Sequence, residues 1–219
     1  MRAILFGASG MVGQGVLREC LLNDGVEAVL SIGRSTTGQH NPKLREIVHR
    51  DIANLAPIED QLGGYDACFF TLGVSSAGMK EEEYRHITYD YAIGTAETLA
   101  RLNPGMTFIY VSGAGTDSTE RGGTMWARVK GETENALLRM PFKAEYMFRP
   151  AFIQPLHGVK SKTALYRTLY AILGPFNSLI LKLFPKYATT TEVLARAMIK
   201  AARQGAPKRV LESRDINSL

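Results

Sequence analysis

The sequence predicts an α/β fold, a doubly wound parallel sheet with helices on both faces. Three observations predict it. Short apolar runs alternate with longer amphipathic segments, a glycine-rich turn follows the first apolar run, and 219 residues suffice for one domain. Parallel strands need crossover connections, and the amphipathic segments supply them. We therefore expect a single domain over residues 1–219.

The predicted elements follow one another in a regular order. Each predicted strand is a short apolar run, and these runs lie at 2–6, 26–32, 45–50, 67–72, 107–112, 144–148 and 209–212. Apolar residues recur at helical spacing in four segments, 11–23, 80–102, 124–139 and 191–202. The helix over 80–102 opens with three glutamates, which suit the positive end of a helix dipole.

The composition changes after Pro150. Residues 163–185 are rich in Leu, Ile, Tyr and Phe, and a Gly-Pro pair divides them into two short helices. Neither half reaches the roughly 20 apolar residues that a membrane span needs. We expect a small C-terminal helical cap over residues 156–187 that covers the ligand edge of the sheet. The alternative is contact with a membrane surface or with a second copy, so monomer and homodimer both stay open.

Charge and cysteine content indicate which partners and which cellular compartment to expect. The net charge is +5, but Lys and Arg are scattered without a basic block, so we expect no nucleic-acid partner. Cys20 and Cys68 fit neither a disulfide framework nor a zinc cluster, so we expect buried free thiols and no metal. A reducing, cytoplasmic location follows. The apolar run at 2–6 is too short for a signal peptide, so no targeting segment is expected.

Residues 7–13, Gly-Ala-Ser-Gly-Met-Val-Gly, join the first predicted strand to the first helix. In this context Gly7 permits a tight turn, Gly10 lets the backbone approach a pyrophosphate, and Gly13 lets the helix pack on the strand. The helix N-terminus adds free N–H groups and a positive dipole end. We therefore expect a dinucleotide phosphate site formed by Gly7, Ser9, Gly10, Met11, Val12 and Gly13.

The end of the second strand indicates which dinucleotide binds. Sites that prefer NAD usually place Asp or Glu there, where it accepts hydrogen bonds from the ribose hydroxyls. This chain has Arg34 and Ser35 instead, and a guanidinium pairs well with a 2′-phosphate. We therefore expect NADP in preference to NAD, with a solvated loop arginine as the alternative. Residues at the ends of the next two strands are also expected beside the cofactor, namely Asp51, Ile52, Thr71, Leu72 and Gly73.

Further motifs carry a family resemblance. They are GASGMVG at 7–13, IGRS at 32–35, TLG at 71–73, YDYA at 89–92, VSGAG at 111–115, VKGETE at 129–134, FRP at 148–150 and TTEVLARAMI at 190–199. With them the chain resembles the atypical short-chain dehydrogenases/reductases, in particular the Tat-interacting-protein oxidoreductases and the bacterial NAD(P)-binding epimerase/dehydratase-like proteins. The resemblance implies a Rossmann fold with a small helical cap and a nicotinamide-dependent oxidoreductase.

The family's catalysis uses Ser, Tyr and Lys, with the Tyr four residues before the Lys. Ser112 and Lys130 match this pattern, but Trp126 stands at the tyrosine position. The resemblance also implies that Ser112 and Lys130 lie beside the cofactor, where the Lys holds the nicotinamide ribose and the Ser orients the carbonyl. An indole N–H only donates and cannot act as an acid or base near neutral pH. The proton relay is therefore absent or supplied by another group, and Trp126 is either a wall of the nicotinamide pocket or a packing aromatic. The candidates for another group are Tyr84, Tyr89, Tyr91, His157, Tyr166 and Tyr170.

Two functions stay open. The resemblance implies that Pro150, Ala151, Phe152 and Ile153 pass the nicotinamide carboxamide, while Arg149 is alternatively a structural ion pair. Together with the phosphate loop, this favours an NADP-dependent oxidoreductase acting on a partly hydrophobic small molecule. Trp126 favours the second function, a non-catalytic NADP-binding sensor or interaction protein.

Overall fold

The computed structural model describes residues 1–159 and 187–219, so residues 160–186 of the predicted cap lie outside the described part. The strands are β1 (Arg2–Phe6), β2 (Ala28–Gly33), β3 (Leu44–Val48), β4 (Ala67–Phe70), β5 (Thr107–Val111), β6 (Ala144–Arg149), β7 (Phe152–Gln154), β8 (Ala188–Thr190) and β9 (Val210–Glu212). The helices are α1 (Met11–Leu22), α2 (Glu81–Arg85), α3 (Tyr91–Leu102), α4 (Met125–Leu137), α5 (Thr191–Gln204) and α6 (Ser213–Ser218).

Seven of these strands form one parallel sheet in the order β3-β2-β1-β4-β5-β6-β9. The order reverses at β1, which pairs with β2 on one side and with β4 on the other. In open α/β sheets, ligands bind beyond the carboxyl ends of the strands at such a reversal. The predicted doubly wound parallel sheet is therefore confirmed, and it places a crevice after β1.

The sheet separates two apolar layers. Along β1, Ala3 and Leu5 face the layer that contains α1 and α5, whereas Ile4 and Phe6 face the layer that contains α3. Both faces of the sheet are buried because helices cover a sheet of parallel strands on each side. Cys20 and Cys68 are buried free thiols, one in each layer, and burial raises the pKa of Cys20 to about 12.

The predicted helix over 80–102 is helical throughout but not uniform. A π-helical turn at His86–Asp90 joins α2 to α3. Such turns are rare and are frequently found at functional sites. Residue spacing alone could not reveal this turn, because the 3.6-residue period continues on both sides of it.

The sequence did not predict β7, β8 or α6. β7 and β8 form a separate two-stranded parallel sheet, in which Ile153 lies opposite Thr189. Strands of three residues are too short to show a period, and their pairing joins distant segments. α6 begins at a capping box between Glu212 and Asp215. Among the described residues, no helix is long and apolar enough to cross a membrane.

Candidate functional site

The loop between β1 and α1 is tightly constrained by its glycines. Gly7 has a φ of +89°, and a Cβ on Gly13 would lie 2.0 Å from the Gly7 carbonyl oxygen. Gly10 is the N-cap of α1, with no side-chain cap and no acidic residue in the first turn. The first N–H groups of α1, at Met11 and Val12, therefore have no partner within the helix. This geometry suits an anion, as expected from the glycine spacing.

A cavity of about 170 Å³ lies beside this loop. Among the described residues that line it, Arg34 is the charged one. Its side chain is exposed and forms no ion pair or hydrogen bond with the described part of the chain. The lining consists of Gly7, Ala8, Ser9, Ser31, Ile32, Gly33, Arg34, Ser35, Ile52, Leu72, Gly73, Val74, Ile87 and Tyr91.

Two residues expected beside the cofactor lie differently. Asp51 is exposed and is not part of the cavity lining. The Thr71 hydroxyl donates to the Phe6 carbonyl, 2.7 Å away, and thus ties the ends of β1 and β4 together. Conversely, Ile87 and Tyr91 reach the cavity from the π-helical turn and the start of α3. The YDYA motif contains Tyr91, but the direction of its side chain depends on the π turn.

Ser112 and Lys130 come together at the end of β5. The backbone N–H of Ser112 donates to the Phe148 carbonyl on β6 at 2.8 Å. On α4, the Lys130 ammonium donates to the Ser112 carbonyl at 3.1 Å and lies 5.6 Å from the Tyr110 ring centroid. Burial of the ammonium lowers the pKa of Lys130 to about 8, while the Glu134 charge opposes this shift.

Trp126 lies one turn before Lys130 on α4. It is partly buried, and a Cβ on Gly115 would lie 3.3 Å from the far edge of its indole ring. Gly115 has a φ of +86°, so the loop after Ser112 turns sharply beside the indole. The three positions matched to the family's catalytic residues therefore meet in one region, with an indole in place of a phenol.

Thr116 is a site residue that the sequence analysis missed. Its hydroxyl donates to the Gly113 carbonyl at 2.7 Å, and it lies 2.8 Å from the Ser112 hydroxyl. Thr116 is 7% exposed, so this arrangement is largely withdrawn from solvent. The spacing of Ser112 and Thr116 belongs to an irregular loop, where no periodic pattern indicates which side chains meet.

Arg149 forms a structural ion pair with Glu134, which is the alternative to a cofactor contact that the sequence left open. Its guanidinium forms two hydrogen bonds to Glu134 through Nε, at 3.0 and 3.1 Å, and a third from Nη2. It also donates to Ser118 and pairs with Glu212. Glu134 is 1% exposed, and a buried carboxylate needs such compensation. The pair fixes α4 against β6 and holds the pKa of Arg149 above its usual range, mainly through the Glu134 bonds.

The segment expected beside the carboxamide makes contacts within the chain. The Pro150 carbonyl accepts from the Ala114 N–H at 3.0 Å. The Ala151 N–H donates to the Ser213 hydroxyl at 2.9 Å, and the Phe152 N–H donates to the Tyr187 carbonyl at 2.9 Å. These two N–H groups are therefore engaged in this conformation, and Ile153 lies in the β7–β8 pair.

The other candidate proton donors are dispersed. Tyr84 is buried, Tyr89 lies under the Arg85 guanidinium at 4.1 Å, and Tyr91 lines the cavity beside the glycine loop. His157 contacts Glu192 at 2.6 Å. Tyr166 and Tyr170 lie outside the described residues. Tyr89, Tyr91 and His157 thus have partners or positions of their own, whereas Tyr84 interacts with Tyr110, whose ring faces the Lys130 ammonium.

Comparison with curated proteins changes one expectation. No family model matches the chain. "Protein fmp52-2, mitochondrial" of Aspergillus terreus is 26% identical and covers 92% of this chain and 86% of its own length. The protein of the same name from Aspergillus oryzae is 26% identical, covering 98% and 94%. The predicted cytoplasmic location is wrong by this comparison, because these relatives are named as mitochondrial. Buried thiols indicate reducing conditions and do not specify a compartment.

Solved structures resemble the whole described architecture. The enzyme WbmF of Bordetella bronchiseptica, in complex with NAD+, has a TM-score of 0.68 at 15% identity over 99% of this chain and 76% of its own. The UDP-N-acetylglucosamine 4-epimerase of Methanobrevibacter ruminantium has a TM-score of 0.70 at 15% identity, covering 95% and 74%. A short-chain dehydrogenase/reductase of Saccharomyces cerevisiae has a TM-score of 0.66 at 12% identity, covering 97% and 95%. The chain therefore has the Rossmann fold that short-chain dehydrogenases/reductases share with NAD-dependent epimerases and dehydratases.

Proposed function

We propose that this protein is an NADP-dependent oxidoreductase of the atypical short-chain type, acting on a partly hydrophobic small molecule. The observation that carries the proposal is Arg34. It is exposed, forms no ion pair within the described residues, and lines the cavity beside the glycine loop. The described lining contains no Asp or Glu that would repel a 2′-phosphate. A free guanidinium at this point fits a phosphate better than a ribose hydroxyl.

The residues present fit the cofactor along the crevice. The uncapped N-terminus of α1, from Gly10 to Gly13, would hold the pyrophosphate, and Arg34 with Ser35 would hold the 2′-phosphate. When bound, the reduced cofactor supplies a hydride. An adenine would meet an apolar wall formed by Ile52, Leu72, Val74, Ile87 and Tyr91.

The region around Lys130 supports catalysis over simple binding. Its ammonium has a pKa of about 8 and lies against the Ser112 backbone. A group that gains and loses a proton near neutral pH is what acid–base chemistry needs. A non-catalytic NADP-binding sensor is the second candidate, because Trp126 has no ionisable hydroxyl.

Nucleotide binding tests the cofactor. We would titrate the cofactor-stripped chain with NADPH and NADH by calorimetry, and follow the emission of Trp126, the chain's single tryptophan. We expect NADPH to bind more tightly. Arg34→Ala should weaken NADPH binding by about 10- to 100-fold, because it removes a charge-assisted phosphate contact, and leave NADH binding unchanged.

The matched control is Arg139→Ala, an exposed arginine just after α4, near the start of β6 and so toward the amino end of the sheet. It should not alter either affinity. Failure to bind either nucleotide would refute the proposal. Binding of NADPH without its oxidation by any carbonyl or quinone acceptor would instead favour the sensor.

A further inference from the structure

The Ser112 hydroxyl uses its proton in a hydrogen bond to Thr116. Thr116 donates its single hydroxyl proton to the Gly113 carbonyl at 2.7 Å, and that carbonyl can only accept. The 2.8 Å contact between the two hydroxyls therefore has Ser112 as its donor and Thr116 as its acceptor. In this arrangement the Ser112 proton lies in the hydrogen bond to Thr116 and is not directed at a substrate.

Trp126 cannot give up a proton either, because an indole N–H does not ionise near neutral pH. Lys130 differs from both. One of its three N–H bonds points to the Ser112 carbonyl at 3.1 Å, and no carboxylate among the described residues forms an ion pair with it. Two N–H bonds therefore remain for other acceptors.

We propose that Lys130 is the general acid of this site and delivers the proton that an aromatic hydroxyl delivers in the family the chain resembles. The inference rests on the proposed oxidoreductase function. It makes Lys130 a catalytic residue that contacts the substrate oxygen, while the Ser112 and Thr116 hydroxyls use their protons in hydrogen bonds within the chain.

The step balances with a carbonyl substrate. With the reduced cofactor bound, the carbonyl carbon would gain a hydride, and the carbonyl oxygen would take one proton from the Lys130 ammonium. A C–H and an O–H bond would form, the C=O π bond would break, and the two electrons would come from the cofactor. Lys130 is left as a neutral amine and regains its proton from water.

The charges around Lys130 allow this role. On its own helix, Glu134 lies one turn away, but Arg149 of β6 compensates that carboxylate. From β5 the Tyr110 ring faces the ammonium, and Tyr84 of α2 interacts with Tyr110. Burial raises the pKa of Tyr110 far above its usual range, so this phenol stays neutral. Desolvation of the ammonium prevails over the Glu134 charge and brings the pKa of Lys130 to about 8.

A titration tests the assignment without a substrate. The full chain, labelled with ¹³C-lysine and saturated with NADP+, would be followed by NMR of the Cε signals, with Lys130→Met identifying the signal. We expect a midpoint near pH 8 for Lys130, against about 10.4 for exposed lysines. A Lys130 that titrates with the exposed lysines would overturn the assignment, even in an enzyme that binds NADP and turns over.

Kinetics of NADPH oxidation with 9,10-phenanthrenequinone provide the second test. Lys130→Met and Lys130→Arg should each lower kcat/KM by about 100-fold or more, because a guanidinium keeps the charge but does not release a proton. The wild-type kcat/KM should fall about tenfold per pH unit above the pKa, since only the protonated amine is active. An active Lys130→Arg variant would show that charge alone is needed and would overturn the proposal. A wild type that binds NADPH but reduces no acceptor would instead refute the oxidoreductase function on which it rests.

Discussion

The two ends of the crevice are built on different principles. Beside the glycine loop, the groups that would meet a ligand are unengaged, namely the exposed Arg34 and the uncapped N-terminus of α1. Around Lys130, which keeps two N–H bonds for other acceptors, the neighbouring polar groups are already bonded to one another, as in the Ser112–Thr116 and Arg149–Glu134 pairs. The first end depends on backbone shape and one free charge. The second depends on which side chains face one another. Replacing one side chain there changes which groups can donate a proton.

The largest effect is expected where backbone shape is tightest. Gly13→Ala would put a Cβ 2.0 Å from the Gly7 carbonyl oxygen, so the loop and α1 must separate. We expect NADPH affinity to fall about 100-fold or more and the free energy of unfolding to drop by about 3 kcal/mol. Calorimetry measures the NADPH affinity, and urea unfolding measures the free energy of unfolding. Gly63→Ala is the control, because a Cβ on Gly63 would meet no atom within 4 Å. Unchanged binding by Gly13→Ala would contradict a role for the loop's shape.

The next largest effect concerns the scaffold of the Lys130 end. Arg149→Met leaves the buried Glu134 carboxylate without its partner, which should lower the free energy of unfolding by about 3 kcal/mol. It should also raise the pKa of Lys130, since the Glu134 charge is no longer compensated. Urea unfolding and the lysine NMR titration measure the two effects. Arg101→Met, which breaks the surface pair with Glu59, should change stability little. Equal losses of unfolding free energy in Arg149→Met and Arg101→Met would argue against a special role for the buried pair of Arg149 and Glu134.

A smaller effect, a gain in NADPH oxidation, is expected from a change at Trp126. Trp126→Tyr restores a hydroxyl four residues before Lys130 and should raise NADPH oxidation with carbonyl acceptors by about tenfold, because a second proton donor joins the site. Trp126→Phe is the matched control, since it has an aromatic ring without a hydroxyl and should show no gain. The absence of any gain across a broad acceptor panel would count against a site that is otherwise complete.

The smallest effect is expected at Thr71. Its hydroxyl bonds to the Phe6 carbonyl at 2.7 Å, so Thr71→Val should cost about 1 kcal/mol in unfolding free energy. NADPH affinity should change by less than about twofold, because the hydroxyl is used within the chain. Thr71→Ser keeps the hydroxyl and serves as the control. A large loss of NADPH affinity in Thr71→Val alone would instead assign the hydroxyl to the ligand.

Much of the glycine-loop end could be predicted from local sequence. The strand–turn–helix context and the glycine spacing indicate a backbone conformation, and Gly7 adopts the positive φ that glycine permits. Gly33, Arg34 and Ser35 follow from their position at the end of β2. Tyr91 could not be placed, because the π-helical turn before it changes the direction of its side chain.

The Lys130 end could be predicted only in part. The spacing of Trp126 and Lys130 places them one turn apart on α4, and Ser112 follows β5 as expected. Thr116 gave no signal, and the backbone bonds of Ala151 and Phe152 involve Ser213 and Tyr187, which are distant in sequence. Such pairings depend on loops that no repeating pattern describes.

Local patterns were enough to specify the parallel sheet, the glycine loop and the position of Arg34 at the end of β2, because apolar period and glycine spacing act over a few neighbouring residues. The packed fold was needed to show that the Ser112 hydroxyl bonds to Thr116, that Arg149 compensates Glu134, and that Lys130 lies desolvated against β5. Hydrogen-bond direction, ion pairing and desolvation depend on groups that meet only when separate segments pack together.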